Sequence, residues 1–332
     1  MTTCTTVQIY RSFGRLYSLH LQCNVTVFLT VTTVSKYSCA SLYELLSTSE
    51  PTANKHSTFG LLQVDQCGRL WVVDSGTVNI FTKERKRICQ PQLLVFNLKN
   101  KKLLLRYRIP ESVLEPHSIL ATVVADILDV TGRCREAFAY LADVTGFGLI
   151  VVDAHREKSW RVVGNYFYPY PLHGHFKINN AEFDLMDGVL GLALSPPQND
   201  KKGKTLYFHS LASVRESWVS AELLRNESNF QNYINRVADK FYVSQGTRAG
   251  QSASSTMNGE GSALFFSVMT KNSLNCWNPK LPYNEQNIVE IDRDDVTFQF
   301  ASGLKVRFSF SYSVLAHTVE IFVSPTVAVK VI

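Results

Sequence analysis

A short strand-like core recurs four times along the middle of the chain, and this recurrence restricts the fold more than any other feature. It reads Leu70-Trp71-Val72-Val73-Asp74-Ser75-Gly76, then Ala139-Tyr140-Leu141-Ala142-Asp143-Val144-Thr145-Gly146. It returns as Leu206-Tyr207-Phe208-His209-Ser210 and as Leu264-Phe265-Phe266-Ser267. Aligned on Trp71, Tyr140, Tyr207 and Phe265, the copies stand 69, 67 and 58 residues apart. Each copy is apolar, rich in aromatic or β-branched residues, and runs into small or polar turn residues. Self-similarity at a fixed period marks stacked or radially arranged units. A period of roughly 60 residues with several strands per unit suits blades of a β-propeller better than helical solenoids.

The segments around each copy complete the unit. Phe59 to Val64 reads as an apolar strand closed by the turn Asp65-Gln66-Cys67-Gly68. Gln92 to Leu98 and Lys102 to Ile109 form a hairpin, and Ile119 to Leu128 is an apolar run ending in a turn at Asp129 to Gly132. Phe138 to Ala142 and Leu149 to Val152 flank the turn from Asp143 to Gly148, with Trp160 to Val163 next. Gly188 to Leu194, Thr205 to His209, Trp218 to Leu224 and Ala263 to Met269 continue the strand pattern. Phe230 to Lys240 is the best short helix candidate. The expected fold is therefore all-β. In a propeller the loop after the second strand of a blade shares a face with the loop that enters the blade. Here those loops start at Asp74, Asp143, His209 and Ser267, and the entering segments are His117-Ser118, Met186-Asp187 and Ser252 to Met257. Their convergence is what a funnel-shaped ligand pocket needs.

Composition narrows the partners. The 332 residues are 45% hydrophobic and 19% charged, ample for a core and unlike a disordered chain. The formal charge of +6 is concentrated: residues 83–108 hold nine Lys or Arg against Glu84 alone. No nucleic-acid-binding motif accompanies that charge, so the stretch reads as a solvated loop followed by a hairpin with a charged turn, and no nucleic-acid partner is expected. None of the seven cysteines lies in a C-x-x-C pair, which argues against zinc ribbons and thioredoxin-type motifs. Asn24 and Asn226 head N-x-Ser/Thr triplets and are candidate glycosylation sites. The first 57 residues differ from the rest. Val25 to Val34 is β-branched, follows Arg11 and Arg15, and precedes Ser38-Cys39-Ala40, a signal-like but Thr-diluted arrangement. The stretch is too short and polar to span a bilayer, so no membrane partner is expected.

Several residues carry candidate chemistry. Asp74, Asp143 and Asp187 recur at corresponding strand ends. They form either an acidic rim for a cationic amine, with Phe147 supplying cation–π contact, or side-chain caps of turns. Asp126 and Asp129 read as turn formers. His173-Gly-His175 lacks a third ligand, so no metal is expected. No nucleophile elbow, phosphate-cradling loop or zinc-protease motif is present, and no cofactor is expected. Gly246 to Gly261 reads as a flexible entry loop.

Seven segments, in order, resemble the yellow / major royal jelly proteins of insects. They are Val64-Asp-Gln-Cys-Gly-Arg-Leu-Trp-Val-Val-Asp-Ser-Gly76, Gln90-Pro-Gln-Leu-Leu-Val-Phe-Asn-Leu98, Ala139-Tyr-Leu-Ala-Asp143, Gly148-Leu-Ile-Val-Val-Asp153, Asp187-Gly-Val-Leu-Gly-Leu-Ala-Leu-Ser-Pro196, Thr205-Leu-Tyr-Phe208 and Asn275-Cys-Trp-Asn278. The resemblance covers residues 58–306, leaving 1–57 as an atypical N-terminal segment and 307–332 as an atypical strand-like tail. It implies a six-bladed propeller, of which four to five blades are recognisable here, and a secreted, extracellular glycoprotein. The unmatched ends suggest a truncated or mis-spliced gene product, or a fragment. In a secreted propeller Cys67, Cys89, Cys134 and Cys276 should be oxidised. The resemblance implies that Cys276 pairs with a later cysteine, which this chain lacks, and that the other three supply one pair and leave one over. It also implies three roles: binding of a biogenic amine or catechol in cuticle, pigment or salivary biology; dopachrome conversion in melanin synthesis, as an isomerase or decarboxylating tautomerase; or a structural or nutritive part. Dopachrome conversion needs a base poised near neutral pH, for which His117 and His209, at pocket-facing ends, are the candidates.

Overall fold

A computed structural model describes residues 17–19, 62–78, 80, 84–197, 203–296, 298–307, 311–317, 319–322 and 328–331. Two compact units result. One comprises Leu29–Val163 with Phe230–Tyr233; the other comprises Met1–Phe28, Gly164–Asn229 and Ile234–Ile332.

The first unit holds two antiparallel four-stranded sheets. Sheet I runs in the order β1 (Gln63–Val64), β2 (Arg69–Asp74), β3 (Gln92–Asn97) and β4 (Leu103–Arg108). Sheet II orders β5 (Leu120–Ile127), β6 (Ala137–Asp143), β7 (Gly148–Asp153) and β8 (Lys158–Val163) in the same up-and-down way. Asp65 makes the first turn: its Oδ1 accepts the N–H groups of Cys67 (2.8 Å) and Arg69 (3.0 Å), and Trp71 Nε1 donates to its Oδ2. Alternation then sends Trp71 and Val73 to one face of β2 and Leu70 and Val72 to the other, all buried. The Trp71 face, with Leu93 and Val95, packs on Val123, Leu141 and Ile150 of sheet II. Each such fully buried aliphatic side chain contributes about 1.5–3 kcal/mol. A Cys67–Cys134 disulfide links the turn between β1 and β2 to the segment between β5 and β6.

The second unit repeats the design. Sheet III runs β9 (Val189–Leu194), β10 (Thr205–Ser210), β11 (Ser217–Ser220), β12 (Tyr242–Val243), and sheet IV runs β13 (Ser255–Met257), β14 (Leu264–Val268), β15 (Ser273–Trp277), β16 (Ile288–Arg293). Ala193 and Tyr207 meet Leu264, Phe266 and Trp277 in one core. Beyond sheet IV, the strand Phe300–Arg307 pairs with Ser311–His317, which pairs with Tyr17–Leu19. Ala301 and Leu304 of that strand pack on Phe265 and Leu274.

The fold is all-β, and the four copies of the recurring core are β2, β6, β10 and β14, the second strand of each sheet. Four-stranded meanders of this kind are the build of propeller blades. Three expectations need correction. Trp218 to Leu224 is not one strand: it leaves β11 for the α-helix Ala221–Arg225, whose Ala, Glu and Leu are good helix formers. Phe230 to Lys240 is not one continuous helix but holds only 3-10 turns, Glu227–Tyr233 broken by a kink and Ala238–Lys240. Asn232 and Tyr233 have φ of 56° and 59°, and Asn235 Oδ1 accepts the Val237 N–H (3.1 Å), an alternative that competes with helical pairing. Asp126 forms no turn; it lies buried within β5, where Tyr140 donates to it at 2.9 Å. Asp129 does shape a turn, accepting the N–H groups of Arg135 and Glu136. Asn24, Val25 to Val34 and Ser38 to Ala40 lie outside the described residues.

Candidate functional site

In the first unit, the ends of β2 and β6 bring Asp74 and Asp143 to the same end of the two sheets. Asp74 is 7% exposed, and its carboxylate accepts Gly76 N–H (2.8 Å) and Gln92 Nε2–H (3.1 Å). Burial raises its pKa, against the lowering effect of those two hydrogen bonds. Gly76 has φ of 62°, and the Cys89 carbonyl already occupies the space a side chain would need. Asp143 is completely buried. It accepts Ile119 N–H (3.1 Å), Gly146 N–H (3.0 Å), the Ser118 hydroxyl and Arg161 Nη1–H (2.8 Å). Arg161, 2% exposed at its side chain, donates onward to the carbonyls of Val113 (3.2 Å) and Gly146. Arg87 closes the same end: it pairs with Glu111 (3.1 Å) and donates to the carbonyls of Glu115 and Ser118. His117 is exposed, with its carbonyl accepting the Thr145 hydroxyl. Phe147 is half-buried, at φ of 51° in the turn after β6.

In the second unit, Asp187 and His209 lie at one end of sheet III. Ala212 N–H donates to the Asp187 carbonyl (3.1 Å), and Tyr170 N–H donates to the Ala212 carbonyl (2.7 Å). The acid and the tyrosine thus flank one residue. Tyr170 stacks on His173 with ring centroids 5.7 Å apart, and Tyr168, Tyr170 and Leu172 are exposed. His209 is sealed. Its Nδ1 lies 2.9 Å from Glu216 Oε2, which Arg248 Nη1 also approaches at 3.3 Å. Arg248 donates further to the Tyr283 hydroxyl (3.0 Å) and to the carbonyls of Ser213 (2.8 Å) and Gly250 (3.1 Å). Burial pulls the His209 pKa down; Arg248 acts the same way, while Glu216 opposes both. Burial likewise pushes the Tyr283 hydroxyl up. The His209 ring packs on Gly191, leaving no space for a side chain there.

The spacing of His173 and His175 does not bring them to one ion. His175 sits between Asp184 and Glu182, each at 2.9 Å, and those hydrogen bonds raise its pKa. Partial burial lowers that of His173. Among the described residues no group of three or more His, Cys, Asp or Glu is arranged to hold a metal. Cys67 pairs with Cys134 across a Cα separation of 6.5 Å, and Cys89 keeps its thiol form. Cys276 is disulfide-bonded, and no cysteine follows it in the sequence. Asn226 is exposed, and its Oδ1 accepts the Ser228 N–H (3.2 Å) and hydroxyl (2.7 Å). Sequence reasoning missed Arg161, Glu216, Arg248 and Tyr283. None belongs to the recurring core, and only folding carries them to His209 or Asp143.

The family model for "Major royal jelly protein" matches residues 57–330. The chain is 32% identical to "Protein yellow" of Drosophila madeirensis over 278 residues, covering 83% of this chain and 47% of that protein. It is 33% identical to "Protein yellow" of Drosophila melanogaster over 278 residues, covering 83% and 50%. The chain thus spans about half the length of the curated relatives it matches. Among solved structures, "Streptogramin B lyase structure" aligns with a TM-score of 0.40 at 10% identity, covering 70% of this chain and 54% of that one. "Structure of Dos1 propeller" aligns at 0.40 and 11%, covering 74% and 50%. On the extent of the family match and the identity to the yellow proteins, the chain belongs to the yellow / major royal jelly protein family.

Proposed function

We propose that this chain is a secreted binder of a small cationic aromatic ligand of the biogenic amine or catechol type. The observation that supports it most is the main-chain pairing of Ala212 with both Asp187 and Tyr170, which sets the acid's segment next to that of the exposed Tyr168 and the Tyr170–His173 stack. A carboxylate and π-faces together suit an ammonium joined to a ring, by charge and by cation–π attraction. Asp74 and Asp143 serve this reading as anchors of the turns, since their oxygens already accept hydrogen bonds within the fold. Secretion fits the Cys67–Cys134 disulfide, because such bonds persist in oxidising compartments. No described helix is long and apolar enough to cross a membrane. Calorimetric titration of the full chain with serotonin, dopamine and catechol tests the reading. Binding weakened at least tenfold by Asp187→Asn is the expected result; silence with all three ligands overturns it.

A second reading, dopachrome conversion, is favoured by the Glu216–His209 contact. Burial keeps the imidazole neutral and the carboxylate fixes its orientation, but the ring is enclosed, contrary to its expected pocket-facing place, so this reading requires the surrounding loops to open to substrate. It predicts loss of dopachrome colour with the chain present. That activity should vanish in His209→Gln, and fall in His117→Ala, while each variant still melts cooperatively.

A further inference from the structure

The outermost strand of sheet I and the turn before it carry exposed cations that no described acid neutralises. Arg106 and Arg108, paired with Leu94 and Gln92, are exposed and share one face of β4, about 7 Å apart; a register shift at Leu104 separates them from exposed Lys102, which ends the turn before the strand. The same turn adds exposed Lys99 and Lys101. Among the described residues none of these five cations forms an ion pair, whereas Arg69 pairs with Asp65 and Arg87 with Glu111. The acids of the neighbouring strands and turn, Asp65 and Asp74, are buried and hydrogen-bonded inward.

Guarding a sheet edge against pairing is one use of charge on an outer strand. The other three outer strands show that guarding does not require this pattern. β12 exposes Tyr242 and Val243 and no charge. β16 pairs its Arg293 with Glu290 at 2.7 Å. β8 has Lys158 exposed but turns Arg161 inward onto Asp143.

We propose that β4 and the turn before it dock a sulfated polysaccharide. A sulfated polysaccharide presents closely spaced, apolar-free negative groups that suit this cluster of exposed cations, and each Arg fork donates paired hydrogen bonds to a sulfate. Single-stranded nucleic acid needs exposed aromatic faces for its bases, whereas Tyr107, the aromatic of β4, is buried and donates to Ser159 at 2.9 Å. A protein partner needs an apolar centre, and here the exposed apolar side chains, Leu98 and Leu104, are outnumbered by five cations. The site is separate from Asp187 and His209, and the amine reading can fail without affecting it.

The test is affinity of the full chain for size-defined heparin oligosaccharides at physiological salt. Desulfated heparin and a DNA oligonucleotide of equal charge serve as competitors. The triple variant Lys102→Ala, Arg106→Ala, Arg108→Ala should bind at least tenfold more weakly and elute from heparin at lower salt. The control Lys177→Ala, Lys280→Ala, which removes exposed cations elsewhere, should bind as the native chain does. Binding should fall with rising ionic strength. Single variants Arg106→Gln and Arg108→Gln carry the comparison if the triple variant does not fold. Failure of the native chain to bind overturns the proposal. So does equal loss in the control, or competition by DNA or desulfated heparin as strong as by heparin itself.

Discussion

Asp143 shows how a residue legible in sequence acquires its role from one that is not. Its place at the end of a recurring strand was visible, but its partner Arg161 lies 18 residues on, in β8, with nothing local to mark it. Both are sealed from water, so removing one leaves a buried charge without compensation. Asp143→Ala should destabilise the chain by about 3–5 kcal/mol in denaturant unfolding, and the double replacement Asp143→Leu, Arg161→Met should cost less. His209 makes a pH-dependent prediction. Burial holds its folded pKa below the ordinary value of 6.5, so the unfolded chain binds the proton more readily. Its contribution is therefore complete above that value and is lost as pH falls through the window beneath it, by up to about 1.4 kcal/mol per pH unit. His209→Gln should lower stability at pH 7, because Glu216 loses a partner, yet flatten the decline between pH 6.5 and 5 measured by thermal unfolding.

At the scale of elements, periodicity carried most of the information. The aromatic cores of β2, β6, β10 and β14 could be found because a strand buried on both faces must be apolar at every position. The helix Ala221–Arg225 escaped notice because five residues hold too little of a helical period to stand out from a strand. The cysteines show another limit. Three candidates left the pair open, and proximity chose Cys67 and Cys134, 67 residues apart in sequence. Closing a loop of that length restricts the unfolded chain, so Cys67→Ser with Cys134→Ser should cost about 4 kcal/mol in urea unfolding. Cys89→Ser should leave that disulfide intact by mass mapping.

For the whole molecule, stability should be distributed as burial is. Ala139–Ala142 and Leu149–Val152 are completely buried, at 0% exposure, and β4 and β16 are open on their outer edges. Hydrogen exchange should be slowest in β6 and β7 and fastest in β4 and β16. If β4 amides exchange as slowly as those of β6, its edge is covered and the docking surface is not available. The amino-acid sequence by itself determined the all-β class, the four repeated units and the acids that end two of them, because a strand's period and a turn's chemistry are local. Tertiary structure alone decided which acids are held by arginines, that His209 is enclosed with Glu216, Arg248 and Tyr283, and that the cations of β4 meet no acid among the described residues. Those outcomes depend on which distant side chains burial brings within a few ångströms, a quantity no window of sequence contains.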